Sequence, residues 1–135
     1  MIQNYLPNRV QQLKIDYDTI SKYNKNIIYS QITGFPAPHQ NVPAFDFTIQ
    51  GMSGLMHCTG EPDGPPYKVG YAVTDVLGSH HTFNGILAAV LHKERTGEGQ
   101  YIETSLLQSA LYSMPYVISS QLNGDTDYMR LGNSH

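Results

Sequence analysis

A chain of 135 residues, 40% hydrophobic and only 14% charged, has the balance of one globular domain able to bury a core. Its net charge of −3 gives no electrostatic reason to bind nucleic acid or an anionic membrane surface. No apolar run reaches transmembrane length, and MIQNYLPNRV lacks both a signal peptide's apolar core and a transit peptide's Arg/Ser-rich helix, so a soluble, intracellular protein is expected.

In chain order, Asn4-Tyr5-Leu6-Pro7-Asn8 is a turn signal, with a short helix expected through Leu13. Asp16 can cap a helix over Tyr17 to Tyr23, which Asn24-Lys25-Asn26 ends. Ile27 to Thr33 is a β-branched run closed by Gly34 and Pro36, and apolar groups on both faces predict a buried parallel strand. The proline-rich GFPAPHQNVPAF is a surface loop. A helix is expected from Phe45 to about His57, with Gly51 and Gly54 marking close backbone packing. TGEPDGPP is a second loop, and Tyr67 to Val73 an extended lead-in to the longest element.

That element, Val73 to Gly97, reads as one helix. Thr74 is the expected N-cap, Lys93 and Arg95 suit the negative end of the macrodipole, and Gly97 supplies a left-handed stop. Phe83, Ile86, Leu87, Val90 and Leu91 recur at helical spacing and predict a buried stripe. Asp75 falls in the first turn, where the macrodipole favours an ionised carboxylate and backbone N–H groups can face an anionic oxygen. An acidic residue there is either a plain stabiliser or a carboxylate nucleophile. Gln100 to Ser105 follows as a strand, then Leu106 to about Leu122 as a helix kinked at Pro115, then a turn-like tail. Helix, strand and helix in alternation give an α/β fold. The few short strands leave open edges, so the chain reads as a piece of a larger protein.

Other features carry little chemistry. Adjacent His80 and His81 point about 100° apart on a helix, and no HExxH or CxxC occurs, so no metal site is expected. Cys58, the sole cysteine, excludes an internal disulfide and reads as a small buried apolar group. The ten tyrosines lack a basic stripe and read as packing residues. Ser53 in GMSGL lacks nucleophile-elbow spacing, and the glycine clusters match no phosphate-binding pattern. Asp46, Glu61, Asp63 and Asp75 are too separated in sequence to be read as a carboxylate pair.

Several segments together resemble the family III CoA-transferases, the CaiB/BaiF group. They are QNYLPNRVQQL, IIYSQITGF, PAFDFTIQGMSGLMHCTGEPDGPPYKVG, AVTDVLGSHHTFNGILAAVLHKERTGEGQYIETSLLQSAL and RLGNSH, in family order and over nearly the whole chain. The resemblance implies the Rossmann-like large domain of an interlinked homodimer, incomplete here because N-terminal and C-terminal parts are absent. It implies CoA transfer from an acyl-CoA thioester to a small carboxylic acid, in the cytoplasm or a mitochondrion, without a tightly bound cofactor. The nucleophile it implies is Asp75, forming an aspartyl–acyl anhydride and then an aspartyl–CoA thioester. Coenzyme A contacts are implied at Asn4, Tyr5 and Leu6, and at Ala44, Phe45 and Asp46.

The chain departs from the family pattern in places. Gln12 stands where a basic residue is frequent, which weakens a phosphate contact, and the PAPHQNVPAF loop is short. An α-methylacyl-CoA racemase would need a histidine at Phe45, and phenylalanine cannot exchange a proton. A non-catalytic remnant that binds a partner subunit, or nothing, is the alternative from a different class.

Overall fold

Ile28–Thr33 (β2) is the centre of the molecule, flanked by Ile2–Gln3 (β1) and Gln100–Ser105 (β3). Both pairings are parallel: Ile2 lies opposite Ser30, and Ile28 to Thr33 run opposite Gln100 to Ser105. The computed structural model describes residues 1–124 and 130–134; the expected turn-like tail lies partly outside them. Parallel strands need crossover connections. Helices α1 (Pro7–Gln12) and α2 (Tyr17–Tyr23) link β1 to β2, and α3 (Asp46–Met52) and α4 (Val73–Thr96) link β2 to β3. Helices α5 (Leu106–Tyr112) and α6 (Pro115–Leu122) complete the α/β fold. No described helix is long and apolar enough to cross a membrane.

Local chemistry explains most boundaries. The Asp16 carboxylate caps α2 by accepting from the Thr19 amide at 2.9 Å. Gly97, at φ 78°, closes α4 in the left-handed conformation. Strand β1 was not legible as a strand, because two residues carry no alternation. The helix expected to reach His57 ends at Met52 instead. Gly54, at φ 84° with open space where a Cβ would stand, turns the chain rather than letting two backbones approach. The expected kinked helix after Leu106 is two helices: Met114 leaves helical geometry and Pro115 starts α6.

The largest correction concerns the buried face of α4. Phe83, Leu87, Val90 and Leu91 are exposed and Ile86 is half-buried, whereas Thr74, Gly78, Thr82 and Ala89 are buried. Small residues face inward because α4 lies close against α5 and β3. A Cβ on Gly78 would come within 2.6 Å of Leu106 Cδ2, and one on Gly85 within 3.0 Å of Ile102 Cγ2.

The apolar core gathers Phe35, Ile49, Leu106 and Ala110, with Ile32, Ala44 and Leu107 half-buried around it. On the other side of the sheet Tyr17, Tyr29 and Tyr101 pack with ring centroids 5.3 to 5.9 Å apart. Burial and the nearby Glu103 carboxylate push the Tyr101 hydroxyl up to about 12. The packing role expected of the tyrosines holds for these three, although Tyr101 is partly exposed, and for Tyr112, whose ring meets His81 edge-on; Tyr5, Tyr23, Tyr67, Tyr71 and Tyr116 are exposed, and Tyr128 lies outside the described residues. Arg130 donates to the backbone carbonyls of His57, Glu61 and Gly64, fastening the second loop.

Candidate active site

The three parallel strands end side by side, at Gln3, Thr33 and Ser105. In open α/β sheets, ligands bind in the crevice outside the carboxyl ends of the strands. A cleft of about 500 Å³ opens at that edge. Asn4, Tyr5 and Leu6 enter it from the end of β1, and Ala44, Phe45 and Asp46 from the segment that starts α3. Asp75 enters from the first turn of α4. The fold thus brings together all seven residues singled out in the sequence. It adds Thr33, Gly34, Val42, Ser79 and Leu106, which sequence reasoning missed. For Thr33, Gly34 and Leu106 the signal was available, since each lies where a strand ends.

The first turn of α4 is organised differently from expectation. Thr74 is not its N-cap; that position falls to Ala72, which has no side chain able to cap. Thr74 is fully buried, and both its amide (2.7 Å) and its hydroxyl (2.8 Å) donate to Oδ1 of Asp46. The neighbouring Asp75 amide helps to hold the Asp46 carboxyl low. Val73 and Val76 donate to the carbonyls of Tyr71 and Ala72. The Val73, Thr74 and Val76 amides are therefore taken, not offered to a ligand's anionic oxygen. An aspartate from another helix fills the anion site that every helix N-terminus presents.

Asp46 is itself held. Its Oδ2 accepts from Gln50 Nε2 at 2.6 Å, one turn along α3. Gln50 is fully buried, and its Oε1 accepts from the Val69 amide at 2.8 Å. One glutamine thereby ties α3 to the segment leading into α4.

These contacts push the two carboxyl groups apart. For Asp46, burial works towards a higher pKa, but the hydrogen bonds from Thr74 and Gln50, helped by the neighbouring Asp75 amide, outweigh it and hold the group low. For Asp75, burial raises the pKa and the Asp46 charge raises it further. The helix macrodipole favours the ionised form of Asp75, but burial and a like charge prevail over it. The two aspartates, set aside as too distant in sequence, are neighbours in the fold. No hydrogen bond to the Asp75 carboxylate occurs among the described residues, and its side chain is exposed to the cleft.

The remaining candidates lie elsewhere. Glu61 and Asp63 do not line the cleft. His80 pairs with the Val76 carbonyl and His81 with the Ser109 hydroxyl, each at 2.8 Å. No group of three or more His, Cys, Asp or Glu side chains that could hold a metal ion occurs among the described residues. Ser53 donates to the Gln50 carbonyl, and Cys58 is half-buried, with its thiol pushed up by burial. Gln12 is exposed and accepts from Arg9. The short proline-rich loop is anchored at its middle, Asn41 accepting from the Asn8 amide and Gln40 donating to Glu103.

Comparison with known proteins bears on the family and the fold. The profile described as CoA-transferase family III matches residues 1–135. A succinate–glutarate CoA-transferase of Agrobacterium fabrum is 39% identical, the alignment covering 100% of this chain and 34% of that protein. A succinyl-CoA:mesaconate CoA-transferase of Haloarcula hispanica is 36% identical, covering 100% of this chain and 36% of that protein. The crystal structure of a CAIB/BAIF family protein from Brucella suis superimposes with a TM-score of 0.93 at 32% identity, covering 99% of this chain and 36% of that one. The chain spans about a third of the length of the relatives it matches. The match runs along the whole chain in sequence and fold, and the chain belongs to CoA-transferase family III.

Proposed function

We propose that this chain carries the nucleophilic half of a CoA-transfer site, moving CoA from an acyl-CoA thioester to a small carboxylic acid through Asp75. The observation that carries this reading is the Asp75 carboxylate, unpartnered and made more basic, on a cleft at the carboxyl edge of a parallel sheet. A carboxylate freed of hydrogen bonds and raised in basicity is a better nucleophile while it remains ionised. One Asp75 oxygen attacks the thioester carbonyl; the C–S bond breaks, leaving a mixed anhydride and CoA thiolate. The thiolate attacks Cγ of Asp75, and the donor acid leaves with one former Asp75 oxygen. The acceptor carboxylate then displaces thiolate from Cγ, and the thiolate attacks the acceptor's acyl carbon. Asp75 is regenerated holding one oxygen from the acceptor.

Asn4, Tyr5, Leu6, Ala44 and Phe45 would contact CoA, with the exposed rings of Tyr5 and Phe45 offering flat apolar surface. Asp46 would contribute through its backbone, since its carboxylate is engaged within the protein. Relatives named for succinate, glutarate and mesaconate favour succinyl-CoA as donor and a small dicarboxylic acid as acceptor. A homodimer, implied by the family resemblance, belongs to the same reading. Phe45 in place of an acid/base histidine argues against racemisation.

The test is isotopic. With an acceptor labelled with ¹⁸O in its carboxylate, turnover should leave label in the Asp75 peptide, read by mass spectrometry after proteolysis. Transfer without label in that peptide overturns the covalent role of Asp75.

A further inference from the structure

We infer that Asp46 is the positioning residue of this site: it fixes the first turn of α4 and places its charge beside Asp75, instead of meeting a ligand with its carboxylate. The inference rests on the reading of Asp75 as nucleophile and deepens it.

The geometry is specific. A 24-residue helix whose N-cap has no polar side chain receives its capping carboxylate from another helix. Asp46 Oδ1 takes two hydrogen bonds from one residue, Thr74, through its amide and its hydroxyl. That bidentate grip fixes the rotation of the turn as well as its position. The next residue is Asp75, so the backbone carrying the nucleophile follows directly on the residue that this carboxylate grips. The other oxygen is locked by Gln50, which has no exposure to solvent and a second anchor at Val69. With its oxygens engaged in this way, Asp46 has little left for a ligand.

The electrostatic consequence follows from the same placement. A helix N-terminus ordinarily lowers a carboxyl pKa there, and substrate anions are drawn to it. Here the positive end is neutralised by Asp46, so Asp75 loses that lowering influence and gains a negative neighbour. Besides Asp75 itself, Asp46 from α3 and Tyr5 from the turn after β1 are the titratable side chains lining the cleft among the described residues. Tyr5 is a phenol, uncharged across the acid range. Asp46 is thus the charged group that faces Asp75.

The experiment is a ¹³C-carboxyl NMR titration of aspartate-labelled chain, wild type and Asp46→Asn, which needs no turnover. In wild type, Asp46 should titrate first, Asp75 second, and the Thr74 and Asp75 amide signals should move with Asp46. In Asp46→Asn, which keeps an oxygen for the Thr74 amide and hydroxyl but sheds the charge, the Asp75 midpoint should move to lower pH. An unchanged Asp75 midpoint, or amides that follow Asp75 instead of Asp46, overturns the inference. If the variant does not fold, the wild-type order and amide response still decide. An acyl-trapping assay at Asp75 run beside the titration separates the two readings. Absence of an adduct with the titration as expected removes the nucleophile and leaves the Asp46 grip; an adduct with an unaffected midpoint does the reverse.

Discussion

Asp75 and Asp46 carry opposite signs in the acid response of the protein. The Asp75 pKa is raised in the folded state, so its ionised form is disfavoured by folding; its contribution is fully favourable only below the unfolded value and is lost as pH rises through the folded one. Asp75→Asn should therefore abolish transfer while leaving Tm unchanged or higher at neutral pH, as thermal denaturation would record. A clear fall in Tm would mean that Asp75 supports the fold. Asp46 is lowered, so its contribution is present above the unfolded carboxylate value and is lost as pH falls through the folded one. Asp46→Ala leaves the buried Thr74 amide and hydroxyl unpaired and should cost about 1–3 kcal/mol near neutral pH by chemical denaturation. That loss should shrink in acid. If transfer depends on ionised Asp75, kcat/KM should drop on an acid limb lying above the ordinary carboxylate value.

The ends of the elements were more legible than their faces. Asp16, Gly97 and Pro115 each mark a boundary through local chemistry, a capping carboxylate, a left-handed residue and a missing N–H, and the structure breaks at each of them. The burial of α4 depends instead on what lies across from it, which no local pattern reports. Close packing on α5 and β3 rewards Gly78, Gly85 and Ala89 over the larger apolar residues. The capping of α4 was hidden for a similar reason, since the carboxylate that provides it belongs to α3. Gly78→Val would drive two methyl groups toward Leu106 and should destabilise the chain by about 1–3 kcal/mol, measured by denaturant titration. An unchanged midpoint would mean that α4 does not sit closely on α5. The site was legible residue by residue through the family resemblance; the assembly of those residues at the carboxyl edge follows from the parallel sheet alone.

Across the whole molecule the core is modest and the apolar surface large. Phe83, Leu87, Val90 and Leu91 on α4, and Tyr116 and Leu122 on α6, are exposed in a chain spanning about a third of its relatives' length. Contiguous exposed apolar surface drives association. The chain should therefore self-associate in sedimentation experiments, and Leu87→Lys with Leu91→Lys should reduce that association without lowering Tm. A chain that remains monomeric at high concentration would contradict this. The claim on which the functional account turns is that the carboxylate at the head of α4 becomes acylated. Its most direct test is to incubate the folded chain with succinyl-CoA and other acyl-CoA thioesters, quench with hydroxylamine, and map the product by peptide mass spectrometry. A hydroxamate at Asp75, absent in Asp75→Asn, is the result predicted; a folded chain that yields none, or yields it at another carboxylate, would contradict the account.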